Sequence, residues 1–175
     1  LILTDKKIHK DQFTIPAPMA VGAIHHKLID SGLRCDTNLI VETGSARNPH
    51  HFAVLLGYGA TAIYPYLSFE LIFELINKNN KSNDYTKSVS NYIRGINKGI
   101  FKIMSKMGIS CVSSYRGAQL FETVGLDDDV VDLCFRGTIN RISGTDFDDL
   151  QKDILETHEF AWDEKLKIKT GGLLK

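Results

Sequence analysis

Two rhythms of apolar and polar positions run through the chain. Short apolar runs stop abruptly at polar turns, and between them apolar residues recur every three or four positions. LILTD at residues 1–5 is the first short run and predicts a buried strand closing in a turn. Pro16 and Pro18 mark a loop. In MAVGAIHHKLIDSGL, Val21, Ile24, Leu28 and Ile29 fall at helical spacing, and Gly32 stands where a C-terminal cap belongs. NLIVET predicts a second strand, ending on Glu42. Asn48-Pro49 then supplies an N-cap and a first helical residue for HHFAVLLGYG, a helix that ends in glycine. TAIYPY predicts a third strand, and SFELIFELIN a helix with Ser68 as its N-cap.

The pattern lapses in NKNNKSND, which is nearly free of apolar residues and predicts an exposed loop. A long helix follows over residues 85–109. Tyr92, Ile96, Ile100 and Met104 step along it by four, with Ile93, Ile103 and Met107 beside them. ISCVSSYRG predicts a strand leading into a glycine turn. AQLFETVGL and DDDVVDLCF predict two short helices, the aspartates suiting the positive end of the second. TINRISG is irregular, and TDFDDLQKDILETHEFAW is a helix capped by Thr145 or Asp146. The last stretch, DEKLKIKTGGLLK, is basic and carries little helical pattern.

Strands and helices in this alternation predict an α/β fold with parallel strands. Right-handed crossovers then gather the strand C-terminal ends on one rim, near Asp5, Glu42, Pro65 and Tyr115, where such folds hold ligands. At 175 residues and 43% hydrophobic, the chain has material for one core. It opens on LIL without a methionine and closes on TGGLLK, so a piece of a longer polypeptide is expected. Lys plus Arg equals Asp plus Glu, 21 each. That balance gives no basic footprint for nucleic acid and no basic helix for a membrane surface. No apolar run nears the ~20 residues that span a bilayer. Cys35, Cys111 and Cys134 are too scattered for a zinc site or a disulfide framework, and suit a reducing compartment.

Four candidate chemistries compete with plain packing. Glu42-Thr43-Gly44 before a helix has the outline of a phosphate grip, in which backbone N–H groups and the helix N-terminus meet an anion. A carboxylate and a single glycine stand where neutral backbone is needed, so a βα unit without a ligand fits better, with Glu42 holding the loop through backbone N–H groups. His25-His26 and His50-His51 are adjacent pairs whose members diverge by about 100° on a helix, so neither pair chelates as an i, i+4 pair would. One histidine of each could meet the other beside Glu42, against the plainer reading of hydrogen-bonded imidazoles at a helix–sheet contact. Cys111 and Ser114 lack a local base, and SSYRG is not a G-x-S-x-G elbow. Arg116 could pin an anion, although an ion pair is the commoner use. KTGGLLK lacks the full phosphate-loop spacing.

MAVGAIHHKLIDSGLR, VETGSARNPHHFAVLLGYGATAIYPYLSFE, NYIRGINKGIFKIMSKMGISCVSSYRGAQLFETVGL and FRGTINRISG closely resemble the large subunit of glutamate synthase. The likeness lies in the C-terminal part of its central domain, up to the junction with the FMN-binding synthase domain. It implies a degenerate, partial TIM-barrel-like domain over residues 1–142. Residues 143–175 would then be a linker helix and the start of the synthase region.

The resemblance also implies an enzyme that converts glutamine and 2-oxoglutarate into two glutamates with NADPH, NADH or ferredoxin as reductant. Ammonia is released in an amidotransferase domain and used at a site carrying FMN and a 3Fe-4S cluster. The expected partners are those two domains of the same polypeptide, with a small subunit or ferredoxin, in the cytoplasm or a plastid. No nucleic acid or membrane is among them. No catalytic, cofactor-binding or metal-binding residue carries over to this segment, which is expected to be scaffold. The competing reading is a self-standing small-molecule or phosphate binder using a rim of Glu42, Gly44, His50 and Arg116.

Overall fold

The computed structural model describes residues 1–78 and 85–163. The polar stretch 79–84, expected as an exposed loop, and the basic tail 164–175, including its KTGGLLK end, lie outside those residues. Three parallel strands, β1 (Ile2–Thr4), β2 (Ile40–Glu42) and β3 (Ala62–Tyr64), form one sheet in chain order. The crossover helices are α1 (Ala17–Asp30) and α2 (Pro49–Gly57), so each strand is followed by a helix that returns the chain to the adjacent position. Then come α3 (Tyr66–Lys78), α4 (Tyr85–Lys106) and the single turn α5 (Val112–Tyr115). A second, two-stranded parallel sheet of β4 (Glu122–Thr123) and β5 (Ile139–Asn140) brackets α6 (Asp128–Cys134), and α7 (Phe147–Ala161) follows.

The helix ends follow the sequence signals. Asn48 Oδ1 accepts from His51 N at 3.1 Å with Pro49 at the first helical position. At the end of α1, Gly32 takes a φ of 69°. Its N–H donates to Ile29 O, and Leu33 N donates to Leu28 O, the paired bonds of a Schellman cap. Asp146, not Thr145, caps α7 through Asp149 N at 2.9 Å.

Register assigns the faces of the sheet. Leu3, Val41 and Ile63 lie in one row, and that row packs into the core with Val21, Leu39, Leu55 and the α4 stripe Ile96, Ile100 and Met104. Thr4, Glu42 and Tyr64 form the next row and point to the opposite, open face. A second core cluster of Val130, Val131, Cys134 and Phe135 ties α6 to Met19 and Ala23 of α1.

Four expectations need correction. Residues 109–117 are not a strand. Tyr115 is driven into the main core and Gly117 N bonds Gly57 O at 2.8 Å, which turns the chain through α5. Residues 118–126 are not a helix. Gln119 has a φ of 52°, and Glu122 and Thr123 pair with Ile139 and Asn140, which gives strand structure to part of the stretch expected to be irregular. Ser68 is not a cap, because α3 begins at Tyr66 directly after Pro65; its hydroxyl instead donates to Ala46 O. Tyr115 lies in the core and not on the strand rim.

Candidate functional site

The strand C-terminal rim is built from Asp5, Glu42, the turn Thr43-Gly44-Ser45 and Tyr66. Asp5 stands one residue past the last β1 pairing and its N–H donates to Glu42 O at 3.2 Å. That places its carboxylate under the β2–α2 turn. Gly44 N–H donates to the two Asp5 oxygens at 3.0 and 3.2 Å, and the buried Thr43 hydroxyl donates to the same carboxylate. Thr43 Oγ1 in turn accepts from Ser45 N at 3.1 Å. The N–H that would face a bound anion is thus held by the protein's own carboxylate. A Cβ on Gly44 would come to 3.1 Å from the Tyr66 hydroxyl, so the turn is also closed from above.

Glu42 does not hold this loop, contrary to expectation. Its carboxylate accepts from Thr4 Oγ1 at 2.6 Å, because β-register aims both side chains at the open face. The sequence marked a carboxylate at the turn but not which one; the signal for Asp5 is its place directly after a strand end. Burial is the main reason that Tyr66 titrates high, at about 12, with a hydrogen bond to Asp5 and the charges of Asp5, Glu70 and Glu42 adding to it. Lys6 Nζ lies 5.5 Å from the centre of its ring. A cavity of about 450 Å³ opens beside this rim, between β1, the 7–15 loop and α1.

His50 is exposed at the start of α2, with His51 next to it. His51 Nδ1 accepts from Arg47 N at 3.3 Å, and burial followed by the Arg47 and His50 charges lowers its pKa. The other pair lies elsewhere. His25 Nδ1 accepts from Arg34 Nε at 2.8 Å, while the guanidinium also donates to Thr37 O at 2.6 Å and Gly59 O at 2.8 Å. Gly59 follows the C-terminal end of α2 and His50 its N-terminal end, so the pairs are separated by the helix length, about 13 Å. Arg116, whose charge bears on His25 and whose neighbour Gly117 bonds Gly57, belongs to the far end as well. Glu42, Gly44 and His50 therefore share the rim region, and Arg116 does not join them.

His25 gives a pH prediction. Burial first, then Arg34, His26 and Arg116, bring its pKa down to about 4 from 6.5. The folded protein binds this proton less readily than the unfolded chain. The contribution is complete above pH 6.5 and is lost as pH falls from there towards 4. It amounts to about 2 kcal/mol after allowing for partial solvent screening. Urea unfolding at pH 7.5, 6, 5 and 4 should show that decline, and His25→Gln should flatten it.

Cys111 is exposed, with Sγ 2.9 Å from Ser113 Oγ, and that hydroxyl lowers its thiol pKa. Cys134 is buried, which raises its thiol pKa, and Cys35 is exposed. Among the described residues no three His, Cys, Asp or Glu side chains are placed to share a metal ion. No described helix is long and apolar enough to cross a membrane.

Against known families, residues 1–127 match the model of the glutamate synthase central domain. The chain is 43% identical over 176 residues to a glutamate synthase [NADH] of Saccharomyces cerevisiae, an alignment covering 96% of this chain and 8% of that protein. It is 44% identical over 164 residues to the glutamate synthase [NADPH] large chain of Bacillus subtilis, covering 94% and 11%. It is 40% identical over 189 residues to ferredoxin-dependent glutamate synthase 1, chloroplastic/mitochondrial, of Arabidopsis thaliana, covering 100% and 12%. The chain thus spans about a tenth of the length of these relatives.

Proposed function

We propose, from the premise that this chain belongs to the glutamate synthase family through its central domain, that it braces a larger enzyme and performs none of that enzyme's chemistry itself. The parent reaction is the reductive conversion of glutamine and 2-oxoglutarate into two glutamates. Residues 1–142 are the C-terminal part of the central domain, and residues 143–175 lead through a linker helix into the synthase region. The three-stranded unit is a degenerate piece of a barrel, a reading supported by strands that neighbour one another in chain order. It sits between the ammonia-releasing amidotransferase domain and the FMN site and couples them. NADH, NADPH and ferredoxin all occur in the names of the relatives, so the reductant, and with it a small-subunit or ferredoxin partner, is set elsewhere. A plastid location suits the ferredoxin type, and the cytoplasm the others.

One observation carries this reading: the Gly44 N–H, the donor an incoming anion would need, is already bound to Asp5. An FMN phosphate does not fit a cradle whose donor is spent and whose rim holds Asp5, Glu42 and Glu70. Nor do the three cysteines fit a 3Fe-4S cluster, since Cys134 is buried at the end of α6 and the others stand exposed before α5 and after α1. FMN and the cluster belong to other parts of the parent.

Stoichiometry in the full-length polypeptide tests the brace. Asp5→Ala should loosen the β1–β2 rim and raise the glutamine hydrolysed per glutamate formed, with FMN content unchanged. An unchanged ratio, with both half-reactions slowed equally or neither slowed, would count against a coupling role.

A further inference from the structure

We infer that the α3 edge of the strand rim is a docking surface for an arginine-bearing segment of a neighbouring domain. This rests on the brace reading only for the identity of the partner. α3 starts at the end of β3, so Tyr66, Phe69, Glu70, Phe73 and Glu74 recur at i, i+3, i+4, i+7 and i+8 along one stripe. Tyr64 of β3 extends the stripe from the open face of the sheet. Tyr85, at the start of α4, closes it edge-on against Phe73 at 5.8 Å. These side chains enclose a cleft of about 420 Å³.

The cleft is aromatic and acidic together. Phe73 is 53% and Tyr64 46% exposed, so ring faces that would ordinarily be covered meet solvent here. Glu70 and Glu74 stand between the rings, and Glu74 lies 3.7 Å from the exposed Lys78. A planar guanidinium fits this pairing, because it stacks on a ring face and donates in parallel to a carboxylate. The surface already holds one cation in this manner, since Lys6 lies over the Tyr66 ring. Burial is the first cause of the raised Tyr66 pKa and a hydrogen bond to Asp5 the second, with the charges of Asp5, Glu70 and Glu42 adding to them at this end of the sheet. A neutral apolar partner would leave two glutamates facing its interface, whereas a basic one is matched by them.

The peptide acetyl-Gly-Arg-Gly-Arg-amide, titrated into the intact chain, tests this by ring-proton NMR. The Tyr64, Phe69 and Phe73 signals should move saturably, and the same peptide with citrulline for arginine should leave them in place. Glu70→Gln with Glu74→Gln should weaken arginine-peptide binding about five-fold. Absence of binding, equal binding of the citrulline peptide, or equal affinity in the double variant would each overturn the inference. If that variant does not fold, the citrulline comparison on the unaltered chain still decides. The glutamine-to-glutamate ratio of the Asp5 variant is unaffected by any of these outcomes, so the brace reading stands or falls separately.

Discussion

Gly22→Ala is expected to be among the most damaging single-methyl additions in the protein, costing about 3 kcal/mol or more. Gly22 sits in the middle of α1, fully inside the contact with α6. A Cβ built there would run into the backbone carbonyl of Cys134. A flexible side chain could rotate away, but a main-chain carbonyl at a helix end moves only if α6 moves. Cys134 belongs to the small cluster that holds α6 on α1, so relieving the clash also opens packing around Val130 and Val131. Overpacking ordinarily costs 1–3 kcal/mol, and a rigid obstacle puts this site at the top of that range or above. Gly95 of α4 supplies the contrast: a Cβ there meets nothing within 4 Å. Gly95→Ala should therefore gain about 0.5–1 kcal/mol from helix propensity. Urea melts of the two variants should move in opposite directions.

Asp5→Ala is the second large effect, expected to cost about 2–3 kcal/mol. The substitution strips an ionised acceptor from Gly44 N–H and from the buried Thr43 hydroxyl at once. Bonds to a charged acceptor are worth more than neutral ones, and the donors left behind keep their desolvation cost. Asp5→Asn retains one acceptor oxygen and should recover about half of the loss. Glu42→Gln keeps an acceptor for Thr4 on the open face and should change stability by less than about 0.5 kcal/mol. Comparing Asp5 with Glu42 by thermal unfolding therefore tells which carboxylate holds the turn.

Much of this architecture was legible in the residues. Asn48-Pro49, Gly32 and the four-residue step through Ile96, Ile100 and Met104 each state a local physical requirement, and each is met where expected. The elements that misled are those decided by distant partners. Cys111–Tyr115 has the β-branched and aromatic composition of a strand, but burial of Tyr115 and the bond from Gly117 to Gly57 curl it into a turn. Phe121–Val124 carries the β-favouring residues Phe, Thr and Val in a run too short to stand alone, and Glu122 becomes β-structure through Ile139, seventeen residues on. At the site, composition showed a carboxylate beside a glycine turn. Only register separates Glu42, which points across the open face to Thr4, from Asp5, which lies beyond the last pairing and reaches the turn. The parting of Arg116 from the rim has the same origin, since a turn after α5 returns the chain to the far end of α2.

The Gly44 amide is the most direct witness. In the 15N-labelled chain, its resonance should stay in place when phosphate, FMN or 2-oxoglutarate is added to millimolar concentration, because Asp5 already occupies the donor. A saturable shift of Gly44 and Thr43 with any of the three would contradict the account, since it would show an outside anion entering the position assigned here to the protein's own carboxylate.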